Sequence, residues 1–309
     1  MSAKIAVVGS LNMDLVVRSP RIPLPGETII GRELHTVPGG KGANQAVAAA
    51  RLGGAVAMIG RVGQDSFAAA LLDNLTANQV DPTWVTQDPT AASGVALIVV
   101  DDTAQNSIVV ASGANMTLTP QHISEAEAAL AAADVLLLQF ETPLDSALQA
   151  ARLARQHGAT VVLNPAPAQP IPADLLQAVD VVIPNETETT LLTGLPVHTL
   201  AEAETAAQAL LASGAPAVVI TLGGRGVLLA QSDGAQHVPA FPITPIDTTA
   251  AGDAFVGGLA VALGEGKPLV EAIRWGNAAG ALAATRLGAQ TSLPYRAELL
   301  AMLAGEGSA

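Results

Sequence analysis

Short runs of β-branched residues alternate with longer segments rich in alanine and leucine, and this alternation limits the possible folds more than any other feature. The short runs are mostly apolar, as in strands that are buried on both faces. The longer segments carry apolar residues at the spacing of helices that pack on a sheet. The order βαβα therefore predicts an α/β fold, a parallel sheet with helices on both faces.

Six strands and six helices follow from this alternation. The predicted strands are Lys4–Val8, Val56–Ile59, Val135–Gln139, Thr160–Asn164, Val181–Ile183 and Val218–Leu222. The predicted helices are Asn44–Leu52, Ser66–Asn78, Pro120–Ala132, Leu144–His157, Glu186–Leu192 and Ala201–Ser213. Two helices have a threonine cap followed by proline, Thr119-Pro120 and Thr142-Pro143, which is typical of a helix start.

Two stretches contain no predicted helix, so we expect their strands to form a separate small sheet. Asp14–Val37 is rich in proline and glycine, and its strands are interrupted by Pro23-Leu24-Pro25-Gly26. Gly94–Val110 has two apolar strands on either side of the polar turn Asp101-Asp102-Thr103-Ala104, which predicts a hairpin. A small sheet of this kind can cover a site in the main sheet as a lid.

The chain is long and apolar enough for a large core. Of its 309 residues, 50% are hydrophobic and only 13% are charged, which is far from the composition of disordered chains. Because this length exceeds that of most single domains, it indicates either one large α/β domain with an appended element or two domains. We predict one domain over residues 1–309, with lid strands at about 14–38 and 94–111.

Charge and residue usage exclude several classes of function. The net charge of −13 argues against a nucleic-acid partner bound through phosphate neutralisation. With no cysteine, the chain has no disulfide, thiol nucleophile or thiolate metal site. The longest largely apolar run, Ala254–Gly264, is about half of the roughly 20 residues of a membrane span. Met1–Asn12 lacks the features of a secretory signal, so we expect a cytoplasmic protein without a membrane partner.

The segment Pro38-Gly39-Gly40-Lys41-Gly42-Ala43-Asn44-Gln45, before an alanine-rich helix, is the first that can bind a ligand. Its glycines leave backbone N–H groups accessible, and Lys41 and Asn44 can donate hydrogen bonds to hydroxyls or anionic oxygens. It is not a Walker loop, because Ala43 stands where that loop has a magnesium-binding hydroxyl. An ordinary glycine-rich turn between a strand and a helix explains the same residues.

The segment Asp247-Thr248-Thr249-Ala250-Ala251-Gly252-Asp253-Ala254-Phe255 leads into an apolar helix that is predicted to end near Leu263. Small residues at a helix start expose N–H groups to negative charge developing on a phosphoryl group. Asp253 would lie in the first helical turn, where it can orient a hydroxyl and accept its proton. Alternatively, Asp253 only stabilises the helix dipole and Asp247 caps the helix. Burying an acidic side chain at the start of an apolar helix is energetically unfavourable unless the side chain has a function, which favours the first interpretation.

Two further segments follow predicted strands, where open α/β sheets bind their ligands. In Asn185-Glu186-Thr187-Glu188, the Asn-x-x-Glu pair can hold hydrated magnesium through oxygen ligands, and a simple helix cap explains it equally well. Thr221-Leu222-Gly223-Gly224-Arg225-Gly226 ends one strand and opens another. Its glycines suit backbone contact with a nucleotide, and a glycine hairpin is the alternative.

Three single polar residues also follow predicted strands. Asn12 and Asp14 come after the first strand, and Glu141 follows the apolar run Val135–Leu138. In a parallel sheet these side chains can converge on one crevice, although each alone is an ordinary turn residue. The five histidines lack the spacing of a metal site, and the absence of a Gly-x-Ser-x-Gly elbow leaves serine hydrolase chemistry without support.

Taken together, these motifs resemble those of the ribokinase-like (PfkB) carbohydrate kinase family over almost the whole chain. The matching segments, in order, are Asn12-x-Asp14, Gly39-Gly-Lys-Gly-Ala-Asn44, Asn164-Pro-Ala-Pro167, Pro184-Asn-Glu-Thr-Glu188, Thr221-Leu-Gly-Gly-Arg-Gly226, Asp247-Thr-x-Ala-Ala-Gly-Asp253 and Gly288-Ala-Gln-Thr-Ser292. The resemblance implies a three-layer α/β/α sandwich with a mostly parallel central sheet and a small β-sheet lid. It also implies ATP-dependent phosphorylation of D-ribose at the 5-hydroxyl.

The resemblance implies a role for each matching position. The sugar would contact Asn12, Asp14, Gly40, Lys41, Gly42, Asn44, Glu141 and Asp253. Asp253 would be the catalytic base, beside an anion hole formed by Ala250, Ala251 and Gly252. The nucleotide would contact Asn185, Thr221, Gly223, Gly224, Arg225, Gly226, Gly252 and Asn277.

The resemblance also implies two cations and a partner. Glu188 would help to place Mg²⁺ through water. A monovalent cation, K⁺, would be held by Asp247, Thr249, Ala283, Arg286, Gly288 and Ser292, several of them through carbonyl groups. The lid strands would pair two subunits in a homodimer.

Three other functions compete with a ribose kinase. A kinase of the same family could act on deoxyribose, fructose or a nucleoside. These acceptors differ from ribose in the hydroxyls they present, so activity toward each of them distinguishes the alternatives. A non-catalytic sugar or nucleotide sensor could have the same fold, but it would not need Asp253 as a base. A dinucleotide-dependent oxidoreductase is disfavoured, because no Gly-x-Gly-x-x-Gly follows the first strand.

Overall fold

The computed structural model describes residues 2–103 and 105–305. Ala104, in the predicted lid turn, lies outside the described residues, as do Met1 and the last four residues of the chain. The strands are β1 (Lys4–Val8), β2 (Asn12–Arg18), β3 (Glu33–Gly39), β4 (Ala55–Gly63), β5 (Val80–Asp88), β6 (Gly94–Val100), β7 (Asn106–Ala111), β8 (Val135–Leu138), β9 (Thr160–Leu163), β10 (Val181–Val182), β11 (Val218–Thr221), β12 (Val227–Gln231) and β13 (Gly234–Val238). The helices are α1 (Lys41–Arg51), α2 (Ser66–Ala77), α3 (Pro120–Glu125), α4 (Glu127–Ala132), α5 (Leu144–Gln156), α6 (Ala173–Ala178), α7 (Glu186–Thr193), α8 (Leu200–Ala212), α9 (Ala251–Gly264), α10 (Leu269–Ala284) and α11 (Arg296–Gly305).

Nine strands form the main sheet, in the order β13-β12-β11-β10-β9-β8-β1-β4-β5. From β11 to β5 the neighbouring strands are parallel, and only β12 and β13 add antiparallel pairs at one edge. All six predicted strands lie in this sheet, so the α/β prediction is confirmed. The chain proceeds from β1 toward β4 on one side and continues from β8 on the other. The carboxyl ends of β1 and β8 therefore border the crevice where such sheets bind ligands.

Apolar side chains on the two faces of the sheet form two cores. Ile5 and Val7 of β1 point into the core shared with α1, α9 and α10. Ala6 and Val8 point into the core shared with α5 and α8. Alternation of side chains along a strand produces this division, and it gives the predicted three layers of helix, sheet and helix.

The two helix-free stretches form a four-stranded sheet in the order β3-β2-β6-β7, which confirms the predicted small sheet. β6 and β7 pair as the predicted antiparallel hairpin. β2 begins at Asn12 and β3 continues to Gly39, and these two residues are paired. The small sheet therefore reaches farther into both sequence motifs than the predicted boundaries, and it positions their residues directly.

The helices depart from the prediction by more than one residue in two places. Helix α1 begins at Lys41, three residues before the predicted start, because Gly42 packs directly on the chain after β1. A Cβ atom at Gly42 would lie 2.5 Å from the Ser10 nitrogen, so only glycine permits this first turn. The predicted helix Pro120–Ala132 is divided into α3 and α4 at Ala126, whose backbone leaves the helical conformation.

In the described part of the chain, no helix is long and apolar enough to cross a membrane.

Candidate active site

A pocket of about 560 Å³ lies at the carboxyl ends of β10 and β11, beside the start of α9. Seven of the eight predicted nucleotide-binding residues line it: Asn185, Thr221, Gly223, Gly224, Gly226, Gly252 and Asn277. We call it the glycine pocket. Its other walls are largely apolar, with Phe241, Ile243 and Phe255 among them. The Asn277 side chain donates to the Pro239 carbonyl at 3.0 Å, which ties α10 to the pocket wall.

Arg225 is the predicted nucleotide residue that does not line the pocket. Its guanidinium pairs with Glu186 and donates to the carbonyl oxygens of Val197 (3.1 Å) and His198 (2.6 Å). The Arg225 side chain therefore joins the turn Gly223–Gly226 to the connection between α7 and α8. The structure brings the backbone of this turn, and not the charged end of Arg225, to the pocket.

Two glycines of the pocket are not explained by the fold. A Cβ atom at Gly224 or Gly252 would meet nothing within 4 Å, and neither residue has a positive φ. In contrast, Gly226 has a φ of +91°, and a Cβ atom there would lie 2.2 Å from the Val238 carbonyl oxygen. Because neither packing nor backbone conformation requires glycine at 224 and 252, the space in front of them suits the close approach of a ligand.

The first turn of α9 presents backbone N–H groups to the pocket. Ala250 precedes the helix with a φ of +58°, an uncommon conformation for a residue with a side chain, and it forms no side-chain cap. The Ala251 N–H donates to the Thr248 carbonyl oxygen at 3.1 Å. The following N–H groups have no partner within the helix, as at every helix start, so they can bind an anionic group. The predicted anion hole therefore borders the glycine pocket.

Asp253 lies in the first turn of α9, as the sequence predicts, and its side chain points inward. It is 7% exposed, and its two carboxylate oxygens accept hydrogen bonds from Asn44 Nδ2 (3.0 Å) and Gln45 Nε2 (3.1 Å) of α1. The alternative in which Asp247 caps this helix is wrong, because the cap position of α9 is Ala250 and no side chain caps it. Burial raises the pKa of Asp253, although the Lys41 charge and the two hydrogen bonds favour the ionised form.

Lys41, at the start of α1, is the cation whose charge acts on this carboxylate. Burial alone would lower the pKa of its ammonium group, but the surrounding carboxylates raise that pKa above its usual value. These carboxylates belong to Asp253, Glu141 and Glu188. Lys41 therefore keeps its charge in a partly buried site, where it favours the ionised form of the acids around it.

The remaining predicted sugar-site side chains lie on β2, which holds Asn12 and Asp14, and after β8, where Glu141 follows. Glu141 accepts hydrogen bonds from Ser10 Oγ at 2.5 Å and from the Lys41 N–H at 3.1 Å, which joins the loops after β8 and β1. Asn12 Oδ1 accepts a hydrogen bond from Asn115 Nδ2 at 2.7 Å. Together with Asp253, these residues form what we call the polar cluster: Asn12, Asp14, Lys41, Asn44, Glu141 and Asp253.

Asp14 of the polar cluster packs closely on Gly39 of the neighbouring strand. A Cβ atom at position 39 would lie 2.2 Å from Asp14 Oδ2, so the glycine makes room for this carboxyl group. Burial, followed by the charges of Glu141 and Asp253, raises the pKa of Asp14 to about 7. Near neutral pH, a change in this environment can therefore change the charge of Asp14.

The Asn-x-x-Glu pair is a reciprocal helix cap in the structure. The Asn185 side chain accepts from the Glu188 N–H at 2.8 Å, and Glu188 Oε2 accepts from the Asn185 N–H at 2.8 Å. The capping alternative left open by the sequence is therefore correct for these atoms. Burial raises the pKa of Glu188, against the lowering effects of its bond to Asn185 and of the Lys41 charge. The charges of Lys41 and Asp253 therefore act on this carboxyl group as well.

Asp247 joins two of the segments predicted to hold a monovalent cation. Its carboxylate accepts from the Thr249 N–H (2.9 Å), Thr249 Oγ1 (2.6 Å) and the Gly288 N–H (2.8 Å). Burial alone would raise the pKa of Asp247, but these hydrogen bonds lower it below its usual value.

The other positions predicted for this cation have different surroundings. The Arg286 guanidinium pairs with Glu298, Ser292 Oγ donates to the Ala289 carbonyl oxygen at 2.7 Å, and Ala283 is fully buried in α10. Within residues 2–103 and 105–305, no group of three or more histidine or acidic side chains could hold a metal ion.

Sequence reasoning missed the amides that surround Asp253. Gln45, Gln139 and Gln290 are buried, and Gln45 contacts Asp253 directly. Gln45 and Asn164 each belong to a motif quoted above, so their positions were visible in the sequence. Their role was not, because buried amides have no characteristic spacing.

Comparisons with known proteins agree with this architecture. The model of the pfkB family of carbohydrate kinases matches residues 2–296. The ribokinase of Haemophilus influenzae is 43% identical over 98% of this chain and 99% of its own length. The deoxyribokinase of Salmonella typhi is 38% identical over 94% of this chain and 95% of its own.

A solved structure also superimposes on nearly the whole molecule. The Arabidopsis thaliana ribokinase complexed with ribose and ATP is 33% identical, with a TM-score of 0.92 over 98% of this chain and 99% of that one. The match of fold, motifs and family model covers the main sheet, the small sheet and both parts of the site. This chain belongs to the pfkB family of carbohydrate kinases.

Proposed function

We propose that this chain transfers the γ-phosphoryl group of ATP to the 5-hydroxyl of D-ribose. The observation that carries the proposal is that the start of α9 borders both the glycine pocket and the polar cluster. Its N–H groups border the glycine pocket, while Asp253 of the same turn points into the polar cluster. The likeness to ribokinases over the whole chain, one of them complexed with ribose and ATP, supports these two substrates.

The polar cluster binds the sugar in this proposal. Asn12, Asp14, Lys41, Asn44 and Glu141 contribute carboxylate, amide and ammonium groups to the ribose hydroxyls, and the backbone of Gly40 and Gly42 provides close approach. Because several of these groups are buried, a sugar without a matching hydroxyl would leave one of them unpaired. Such a site selects its substrate through the number and position of the hydroxyls.

Asp253 accepts the proton of the 5-hydroxyl as the sugar oxygen attacks the γ-phosphorus. The bond from that phosphorus to the β,γ-bridging oxygen breaks, so the products are ribose 5-phosphate, ADP and one proton, which leaves through Asp253. The N–H groups near Ala250, Ala251 and Gly252 stabilise the negative charge on the transferred group. Positioning and charge stabilisation of this kind are the main demands of phosphoryl transfer.

ATP occupies the glycine pocket, with Asn185, Thr221, Gly223, Gly224, Gly226 and Asn277 along its walls. The open space at Gly224 and Gly252 suits phosphate oxygens close to the backbone. Arg225 acts indirectly, since its guanidinium fixes the turn to Glu186. The apolar walls, which include Phe241, Ile243 and Phe255, favour contact with adenine.

Two cations complete the proposed site. Glu188, with its carboxyl near Lys41 and Asp253, would hold Mg²⁺ through water, and this oxygen chemistry suits the ion. When bound, Mg²⁺ neutralises charge on the ATP phosphates. K⁺ would be held by oxygens of the segments that Asp247 joins, including Thr249, Ala283, Arg286, Gly288 and Ser292. This second site lies beside the anion hole in the sequence, so it would support the conformation of the α9 start.

The small sheet serves as the lid and as the surface that pairs two subunits. Leu34, Leu97 and Val109 are each more than half exposed on it, at 64%, 52% and 63%. Pairing two such sheets would remove this apolar surface from water. A closed lid would also keep water from replacing the sugar as phosphoryl acceptor.

An ADP-release assay across sugars tests the function directly. D-ribose is expected to give the highest kcat/KM among D-ribose, 2-deoxyribose, fructose and adenosine, and the rate should rise when K⁺ is added. Phosphorus NMR of the product should place the phosphate on C5. ADP release that does not depend on any sugar would contradict the proposal.

A deoxyribose kinase is the second candidate, because a deoxyribokinase is among the similar proteins. The two activities differ in whether the site pairs with a 2-hydroxyl. A higher kcat/KM for 2-deoxyribose than for D-ribose in the same assay would assign the chain to this second activity.

A further inference from the structure

Gln45 is a fully buried amide that the proposed mechanism does not use. Its Nε2 lies 3.1 Å from Asp253 Oδ1 and 3.1 Å from Asn164 Oδ1, and its Oε1 accepts a hydrogen bond from Gln139 Nε2 at 2.6 Å. Both hydrogens of the amide and its oxygen are therefore engaged. One of these three contacts is the carboxylate proposed as the base.

A backbone carbonyl determines which way the Gln45 amide points. Asn164 Nδ2 donates to the carbonyl oxygen of Ile183 at 2.8 Å, and that oxygen can only accept. Asn164 must therefore present its Oδ1 to Gln45, which requires the Gln45 nitrogen on that side. If the Gln45 amide were turned over, its oxygen would face the oxygens of both Asp253 and Asn164. The main sheet thus makes Gln45 a donor to Asp253.

Gln139 supports this orientation although one of its own atoms is left unpaired. Its Oε1 is buried and has no hydrogen-bond partner among the described residues. Turning this amide over would bring two oxygens together, Gln139 Oε1 and Gln45 Oε1. An unpaired buried acceptor is unfavourable, and an apolar residue at 139 would avoid it. The presence of glutamine at position 139 is explained if its donated hydrogen bond to Gln45 is needed for function.

A second amide holds the other oxygen of the carboxylate. Asn44 Nδ2 donates to Asp253 Oδ2, while Asn44 Oδ1 accepts from Gln290 Nε2 at 3.1 Å. Gln290 Oε1 in turn accepts from Asn74 Nδ2 at 2.7 Å. With one donor on each oxygen, the carboxylate of Asp253 has a defined plane as well as a defined position.

We propose that Gln45 is a positioning residue that keeps Asp253 ionised and correctly oriented for accepting the sugar proton. This inference rests on the proposed function. The charged groups that face Asp253 are Lys41 of α1, Glu141 after β8, Asp14 of β2 and Glu188 of α7. Since three of these four are acids, a neutral donor is needed to favour the charged carboxylate. A further cation would form an ion pair and weaken the base.

Two variants test the role of Gln45, with Gln121→Met on the exposed side of α3 as the control. Gln45→Met removes both donated hydrogen bonds, and Gln45→Glu keeps the shape but replaces the donor by an acid. We would measure kcat and the ribose KM from pH 5 to 9. The titration of Asp253 would be followed by NMR on carboxyl-¹³C aspartate, assigned with Asp253→Asn.

For Gln45→Met we expect kcat to fall about 10- to 100-fold, with the ribose KM within about 3-fold of its original value. The pKa of Asp253 and the acid limb of the kcat profile should both move upward, because a bond to the charged form is lost. Gln45→Glu should move them further, through repulsion between like charges. The control should match the original chain in every measurement.

An unchanged Asp253 titration in a folded Gln45 variant would overturn the inference. So would a lower melting temperature with lower kcat and no change in the pH profile, since that describes a purely structural residue. If Gln45→Met does not fold, Gln45→Glu carries the same test. If the original chain does not phosphorylate ribose, the proposed function fails, while the NMR titration still decides whether Gln45 controls Asp253.

Discussion

The polar cluster and the glycine pocket meet at one helix start, yet they are built by opposite means. The polar cluster consists of buried side chains whose orientations are set by hydrogen bonds, such as Asn12 to Asn115 and Glu141 to Ser10. The glycine pocket instead presents bare backbone and open space at Gly224 and Gly252. The difference follows from the ligands proposed for each part. Sugar hydroxyls need individually placed partners, whereas phosphate oxygens can be bound by N–H groups at a helix start.

Replacing Asp253 should have the largest effect and should separate the two parts most clearly. Asp253→Asn keeps the size of the side chain but removes the base, so kcat is expected to fall by about 10²- to 10⁴-fold. Binding of an ATP analogue should change little, because the glycine pocket is intact. Stopped-time ADP assays measure the change in kcat, and calorimetry with the ATP analogue measures its binding. Retention of most of the turnover would contradict the role of Asp253.

Asp14→Asn should affect sugar binding and stability in opposite directions. Loss of the hydrogen bonds that a charged group makes to ribose is expected to raise the ribose KM by about 10- to 100-fold, with the ATP KM unchanged. An equal rise in both KM values would argue against separate roles for the two parts.

The stability effect follows from the pKa of Asp14, which is about 7 in the folded chain against an ordinary value of 3.8. The protonated form is favoured by folding, so this stabilisation is complete below pH 3.8 and is lost as the pH rises through 7. The loss is roughly 4 kcal/mol. Asp14→Asn should therefore raise the melting temperature of the ligand-free chain at pH 8, and by less at pH 5. Scanning calorimetry of both chains at pH 8 and pH 5 measures this change in melting temperature. Equal changes at the two pH values would contradict the prediction.

A pair of glycine variants compares the two kinds of glycine. Gly252→Ala places a methyl group in open space, so the fold should be retained while the ATP KM rises or kcat falls by about 10-fold. Gly42→Ala places it 2.5 Å from the Ser10 nitrogen, which should destabilise the chain by about 1–3 kcal/mol. Thermal melts and ATP kinetics of both variants test the contrast. A destabilised Gly252→Ala with normal kinetics would show that this glycine serves only the fold.

The smallest effect is expected for the lid. Val109→Asp puts a charge on the exposed face of β7, so it should convert a dimer to monomers in sedimentation experiments. Because the lid residues adjoin the polar cluster, the ribose KM should rise a few-fold while the ATP KM stays constant. Leu300→Asp, an exposed position on α11, is the matched control. A chain that sediments as a monomer before any substitution would contradict the proposed dimer.

Much of the fold was predictable because parallel strands have strong local signals. Val135–Leu138 and Val218–Ile220 are apolar on both faces, and both lie in strands of the main sheet, β8 and β11. The start of α1 at Lys41 was not predictable, because it depends on the contact of Gly42 with Ser10, 32 residues earlier. The break at Ala126 also has no sequence signal, since alanine is the strongest helix former.

The candidate site divides in the same way. Periodicity and short motifs were enough to predict the α/β class, the small sheet, and the presence of Asp253 in the first turn of α9. The folded structure was needed to show that Arg225 points away from the pocket and that Asn185 and Glu188 cap each other. It also decided that Gln45 donates to Asp253, 208 residues away. The direction of a buried amide is set by which distant donors and acceptors surround it, and no local pattern in the chain encodes those neighbours.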